Sequence, residues 1–500
     1  MCFLPELPYL IGVSNVTATT GVATYQNLID GQWTAPSSGQ YFDSINPADT
    51  EDCVGRFPAS DRADAEQAIA AAKRAQKEWA RTAPSKRAAL LYRTADLLEA
   101  RAEQYGRELT REEGKVLPQA IMEVKRSAQT LRYYASEGLN IAGQTLPSDD
   151  GSFLYTKQEP LGVVSVITPW NFPISIPVRK IAPALVTGNT VVFKPASDTP
   201  LIGLRLTECF QEAGLPAGVL NFITGSASKI GDVLVSHEDI RAVTFTGSTY
   251  AGEQIHKNAS FKTRLQLELG GKNPLIVMDD ADVDQAVHMT IAGGFSLTGQ
   301  ACTGTSRVYV MEAVYSSYVE KLIEATKKLT IGNGLEDGIK LGPLANESQL
   351  HTVLDYVESG KAEGAVLQTG GERLVEAELV KGYYVSPAIF TDVKQDMRIM
   401  REEIFGPVIG VMKVSSFEEA IELANDTEYG LAAAICTSDE QIATRFVDLI
   451  EAGMVKVNKP TTGVAYNAPF GGMKGSSTAT YRESGRDALA FYVQAKTVYR

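Results

Sequence analysis

Beyond residue 160 the chain settles into a rhythm of short, largely apolar runs, at 163–167, 191–193, 219–223, 242–245 and 275–278, each separated from the next by enough chain for one helix. Such runs lack polar alternation, so both faces of each strand must be covered, which is the pattern of a parallel sheet wrapped by crossover helices. After residue 278 a second series begins: a helix near 281–294, a strand at 307–310, a helix near 312–329, and strands around 404–413, 431–436 and 453–457. Upstream, residues 61–80 and 85–104 are rich in Ala, Glu, Lys and Arg, and Leu90/Leu91 stand one heptad before Leu97/Leu98. Two amphipathic helices packed on a sheet are expected there. The fold class is therefore α/β, with two α/β domains. Residues 143–161 and the tail from about 486 fit neither series. Their mixed polar and apolar alternation suits edge strands, and exposed edges invite self-association.

Charge and cysteine usage narrow the partners. A net charge of -13 with no Lys/Arg cluster repels phosphate backbones and anionic lipid, so neither nucleic acid nor a membrane is an expected partner. No apolar run reaches the ~18 residues that a spanning helix needs. The opening residues MCFLPELPYLIGV contain Glu6, and the first basic residue is Arg56, so no secretory signal is expected. Cys2, Cys53, Cys209, Cys302 and Cys436 are widely spaced and form no CxxC pair, which suggests neither disulfides nor zinc and fits a reducing cytoplasm. His237, His256, His288 and His351 also stand far apart, and no metal site is expected.

Four short segments carry candidate chemistry. In FTGSTYAG a strand runs into Gly247, Ser248 and Gly252 ahead of a helical stretch; this is either a plain strand-to-helix turn or a place where a pyrophosphate meets a helix N-terminus. Cys302 lies in GQACTGTSR, whose small polar residues suit ligand access better than core packing, yet no histidine is near in sequence to act as its base. Glu268, between Leu267 and Leu269 in LELGGKNP, is either a solvated strand residue or a carboxyl held in an apolar site with a raised pKa. Asn171, in TPWNFP, is either a turn former or an amide held rigidly enough to serve an oxyanion.

Together with FKPAS, EEIFGPV and PFGGMKGS, these segments occur in the order and approximate spacing of one family. From about residue 25 to its end the chain resembles the aldehyde dehydrogenase superfamily. The resemblance implies a Rossmann-like cofactor domain (25–142 and 162–273), a catalytic domain (274–474), and a small β oligomerisation element (143–161 and 475–500) of a homodimer or homotetramer, with 1–24 left as an N-terminal extension. It implies Cys302 as nucleophile, Glu268 as general base and Asn171 as oxyanion donor, with Lys180 either a proton relay or an ion-pair partner. It also implies NAD or NADP bound by Thr168, Pro169, Trp170, Lys194, Ser197, Gly231, Gly247, Ser248, Leu269, Glu403 and Phe405. The chemistry implied is oxidation of an aldehyde through a Cys302 thioester, released by water rather than CoA because Glu268 is present.

Two finer expectations follow. Ser197 stands where an acidic residue would bind the ribose 2′-hydroxyl of NAD and repel the 2′-phosphate of NADP, so NADP is expected to be accepted and preferred, with NAD also usable. Arg179, eight residues after Asn171, is placed to pair with the far carboxylate of a semialdehyde, with a surface arginine as the alternative. Phe172, Ala301 and Pro460 are expected to wall the substrate tunnel. Within the family, VRKIAPAL, CTGTSR and MKGSSTATYRESG are most similar to the α-ketoglutarate semialdehyde (2,5-dioxopentanoate) dehydrogenases, and next to those acting on succinate semialdehyde or on a broad range of aldehydes. Enterobacterial-type succinate semialdehyde enzymes carry an arginine five residues before the nucleophile, and here that position is Leu297. Two other classes are weighed: a cysteine hydrolase needing no cofactor, and a retired fold used for binding, against which intact Cys302, Glu268 and Asn171 argue.

Overall fold

In the computed structural model, which describes residues 17–18, 21–478 and 480–500, the apolar runs pair side by side. Val163–Ile167 lies parallel to Thr190–Lys194 on one flank and to Ile240–Thr246 on the other. Leu220–Phe222 and Arg264–Glu268 extend this sheet outward, and a hairpin of Asn27–Ile29 and Gln32–Thr34 closes one edge. The chain therefore leaves Val163–Ile167 in both directions, and the crevice beside it is a topological switch point, at whose carboxyl ends open α/β sheets take ligands. Helices Arg62–Arg81 and Ser175–Val186 both pack against this sheet, which is why its central strands are buried throughout. The first of these starts at a capping box in which Asp61 and Asp64 satisfy each other's backbone N–H groups.

A second sheet has the order Val366–Thr369, Ala388–Thr391, Val408–Val414, Thr305–Met311, Asn273–Val277, Ala432–Cys436 and Met454–Val457, parallel except at its first strand. The apolar run at 275–278 thus belongs here and not to the first series. The last parallel strand of the first sheet is Arg264–Glu268, hidden by its polar alternation. Those polar side chains are engaged by the C-terminal segment: Arg264 donates to the carbonyls of Ala490, Phe491 and Val493, and Gln266 donates to that of Arg482. The expected helix at 85–104 is two helices, Pro84–Ala100 and Ala102–Glu113.

Leu154–Pro160 pairs antiparallel with Val493–Tyr499 and with Thr145–Leu146 in a third, largely exposed sheet. Only the end of the 475–500 stretch joins it. Residues 475–486 instead cross the end of the first sheet, where Leu269 N–H donates to the Ser476 carbonyl, and Ala488–Tyr492 packs on the helix Ser175–Val186. That stretch of the proposed oligomerisation element belongs with the site. Most of the 1–24 extension lies outside the described residues.

The two large sheets meet end to start. Glu268 closes a strand of the first, and Asn273 opens a strand of the second after only four intervening residues. The carboxyl ends of one sheet thus face the amino ends of the other across a seam.

Candidate active site

Cys302 sits in that seam, just ahead of the strand Thr305–Met311. Its loop is shaped by backbone of a kind that L-residues avoid: Leu297, Thr298 and Gly299 have φ of 56°, 54° and 74° in succession. Gly299 is required, since a Cβ there would stand 2.2 Å from the Gly406 carbonyl oxygen. Asn273 grips the loop from the neighbouring strand, its Nδ2 donating to the carbonyls of Cys302 at 2.8 Å and Gly304 at 2.9 Å. Gln300 locks the other side, donating to Leu297 and accepting from Ala345 N–H. The loop that carries the Cys302 thiol is thus held through its backbone.

The Asn171 amide reaches the same loop from the first sheet. Its Nδ2 donates to the Gln300 carbonyl at 3.0 Å and its Oδ1 accepts from Phe172 N–H at 3.1 Å. One amide hydrogen remains for a ligand oxygen beside Cys302. Glu268 is buried, and neither of its carboxyl oxygens has a hydrogen-bond partner among the described residues. Burial raises its pKa well above the ordinary carboxyl value, and the neighbouring Glu483 charge raises it further. Burial likewise pushes the Cys302 thiol up to about 12, helped by Glu403, while Arg179 opposes the shift.

Cys302 and Glu268 open onto one cavity of about 680 Å³. Phe172, Arg179 and Ala301 line it, and so does Leu269. Arg179 lies over the Phe470 ring at 5.6 Å with Glu483 3.8 Å from its Nη1, so its guanidinium is turned along the wall and is not a surface arginine. Pro460 does not line the cavity. Thr461, next to it, is tied to Thr305 at 2.8 Å, and this bond anchors the chain so that the wall begins two residues later and runs from Thr462 to Tyr466. Lys180 lies beneath the cavity in an ion pair, 2.6 Å from Glu483 and 3.0 Å from Thr244 Oγ1. The sequence reading gave no role to Glu483, Lys115, Glu123 or Arg126, all of which line the cavity. Glu483 lies within MKGSSTATYRESG, but nothing local marks it as the partner of a lysine 303 positions away.

Around the corner, the carboxyl ends of the first sheet present groups suited to a dinucleotide. Lys194 is buried, with the adjacent Pro195 carbonyl its one hydrogen-bond acceptor among the described residues, and burial lowers its pKa to about 8. Ser248 caps the helix Thr249–Asn258, whose N-terminal N–H groups favour an anion, and Gly247 and Gly252 keep the approach narrow-sided but open. At Gly252 a Cβ would come within 2.4 Å of Leu269 Cδ2. Glu403 accepts from Gly271 N–H at 3.0 Å, and burial pushes its carboxyl up to about 7. The buried Thr168 hydroxyl has no partner among the described residues, Pro169 follows it, and Trp170 meets the Phe405 ring edge-on at 5.3 Å. Ser197 is exposed near the Gly225 carbonyl, and Gly231 lies half-buried in the helix Ala227–Ser236. A buried cation, a buried carboxyl and an uncrowded helix N-terminus fit a ribose and phosphate ligand. Among the described residues no group of His, Cys, Asp and Glu could hold a metal, and no helix is long and apolar enough to cross a membrane.

Residues 33–498 match the model of the aldehyde dehydrogenase family. The chain is 47% identical over 478 residues to the alpha-ketoglutaric semialdehyde dehydrogenase of Bacillus subtilis, covering 95% of this chain and 98% of that one. It is 45% identical over 480 residues to the 2,5-dioxopentanoate dehydrogenase of Saccharolobus solfataricus, covering 95% and 99%. Among solved structures, betaine aldehyde dehydrogenase of Staphylococcus aureus in complex with NAD+ superposes with a TM-score of 0.93 at 34% identity, over 95% of both chains. An NADP-dependent enzyme of E. coli superposes with a TM-score of 0.91 at 36% identity, over 95% and 98%.

Proposed function

The chain belongs to the aldehyde dehydrogenase family, and from that membership we propose that it oxidises α-ketoglutarate semialdehyde (2,5-dioxopentanoate) to the free dicarboxylate with NAD(P)+, through a thioester on Cys302. The observation that carries the reading is convergence: a thiol, an unpartnered carboxyl and a guanidinium line one cavity, with an amide fastened to the backbone beside the thiol. The names of the two close relatives support the substrate.

The residues divide the work. Cys302 Sγ gives up its proton to solvent and forms a bond to the aldehyde carbon. Asn171 Nδ2 donates to the oxygen as negative charge develops there, and its fixed orientation costs no reorganisation. The chemistry supplied by a bound nicotinamide dinucleotide is hydride acceptance, which no side chain provides. Glu268, whose raised pKa suits it to accept a proton, then takes one from water, the hydroxide adds to the thioester carbon, and the carbon–sulfur bond breaks as the leaving sulfur takes that proton back from Glu268 to return the Cys302 thiol. Lys194 and Glu403 would hold the two riboses, and Gly247, Ser248 and the helix behind them the phosphates. Exposed Ser197 puts no carboxylate against a 2′-phosphate, which supports NADP as the preferred cofactor. Arg179 receives the far carboxylate, and Phe172 its chain. The exposed third sheet, with Phe153 and Tyr499 at its surface, supports a homodimer or homotetramer, and free cysteines support a cytoplasmic setting.

Arg179→Ala tests the substrate assignment. On α-ketoglutarate semialdehyde it should lose at least ~10-fold in kcat/KM relative to its loss on propanal, about 1.4 kcal/mol of transition-state binding. Equal losses on both aldehydes would reduce Arg179 to a structural role, and faster turnover of succinate semialdehyde would name that substrate instead.

A further inference from the structure

We infer that Lys115 and Glu123 form a positioning pair that sets the Asn171 amide against Cys302. The two side chains are almost wholly buried, with 1% and 5% exposure, and their charged atoms are 2.5 Å apart. The same lysine Nζ donates to the Asn171 carbonyl at 2.7 Å and stands 4.8 Å over the Phe172 ring. On the other side, Glu123 Oε1 accepts from Ile174 N–H at 3.2 Å and Ser175 N–H at 3.1 Å. One ion pair thus grips both ends of the loop 171–175: its first carbonyl and its last two amides.

The helix Ser175–Val186 explains the carboxylate. It begins without a side-chain cap of its own; Ile176 N–H finds the Phe172 carbonyl, and the N–H groups of Ile174 and Ser175 would otherwise be orphaned. Glu123 acts as that cap from another helix, and a negative charge there also suits the helix dipole. Glu113 lies farther off, 3.8 Å from the lysine, and burial pushes its carboxyl up to about 8. A buried ion pair returns little net stability compared with an apolar pair of the same shape, because desolvation cancels most of the attraction. The bond from Lys115 to the Asn171 carbonyl is what apolar residues could not replace. The Asn171 amide reaches both of its own partners from this loop, so loosening the loop moves the donor.

This inference rests on Asn171 being the oxyanion donor, and the two are tested together on the full-length enzyme with α-ketoglutarate semialdehyde and NADP+. Asn171→Ala alone should cost ~10²–10³-fold in kcat. Lys115→Met should cost about 10- to 100-fold in kcat, the scale of a ~1 Å misplacement, with KM nearly unchanged. In the Asn171→Ala background the same Lys115→Met change should cost almost nothing more, because the donor that it positions is gone. The charge-balanced double variant Lys115→Met/Glu123→Gln, which leaves no buried ion unpaired, should show the same loss and the same non-additivity, and it decides the matter if Lys115→Met does not fold. Losses that multiply in the two backgrounds, or a wild-type kcat in the folded double variant, would overturn the positioning role. A normal rate in Asn171→Ala would overturn the oxyanion assignment and this inference with it.

Discussion

The floor and the mouth of the cavity are built on opposite terms. On the floor, the backbone around Cys302 is held by Asn273, Gln300 and Asn171 through hydrogen bonds, and among the described residues the Glu268 carboxyl oxygens, proposed to take up a proton, are left without partners. At the mouth, Met122, Arg126 and Gln129 project from the helix Leu117–Glu137 and face the segment 462–466, and most of these residues are exposed. The Arg126 guanidinium has no hydrogen bond or ion pair among the described residues. Rigidity therefore belongs to the chemistry and adaptability to selection, and substitutions in the two regions should fail differently.

Cys302→Ala is the sharpest break: NAD(P)H formation should disappear while cofactor binding, followed by fluorescence titration, stays intact. Glu268→Gln should allow one burst of NAD(P)H and then stall, with a ~10²–10⁴-fold loss in steady-state rate. In the wild type, Glu268 must be ionised to act as a base. Because its pKa is raised, activity should fall on acidification through a limb lying well above the ordinary 4.5 of a glutamate, and a pH profile of the Gln variant should lack that limb. Ser197→Glu, outside both regions, should leave kcat intact and shift the NAD to NADP ratio of kcat/KM by ~10-fold or more towards NAD through repulsion of the 2′-phosphate. At the mouth, Arg126→Ala should act least, with a loss of a few-fold in kcat/KM for the carboxylated aldehyde that fades as salt screens the exposed charge. A floor-sized loss from Arg126→Ala would erase the distinction.

This division also decided what could be read before folding. Asn171, Glu268 and Cys302 each lie in a short segment with its own composition, which made them candidates while leaving a structural alternative open, and only the resemblance to a family chose between the two. Strands could be anticipated wherever both faces are buried, and one was missed at Arg264–Glu268, where one side is taken up by chain more than 200 residues later. Pro460 stands outside the cavity, whose wall on this side is formed by residues 462–466, and its neighbour Thr461 is bonded instead to the distant Thr305. Lys115, Glu123 and Glu483 were silent because their partners are remote: 56 positions separate Lys115 from Asn171, and 303 separate Glu483 from Lys180. A buried charge pair leaves no periodic trace.

The position of Glu483 also sets an order in time. A chain emerging from the ribosome passes Asn171, Glu268 and Cys302 long before residue 483 is made. Until it arrives, Lys180 lacks its counter-ion, and Glu268 lacks the segment that crosses it, where Ser477 bridges the strand end. Contacts of such long sequence separation close late, because the loop entropy is spent before they repay it. A product truncated before residue 475 would therefore carry Cys302 without Glu483 and without the segment that crosses Glu268.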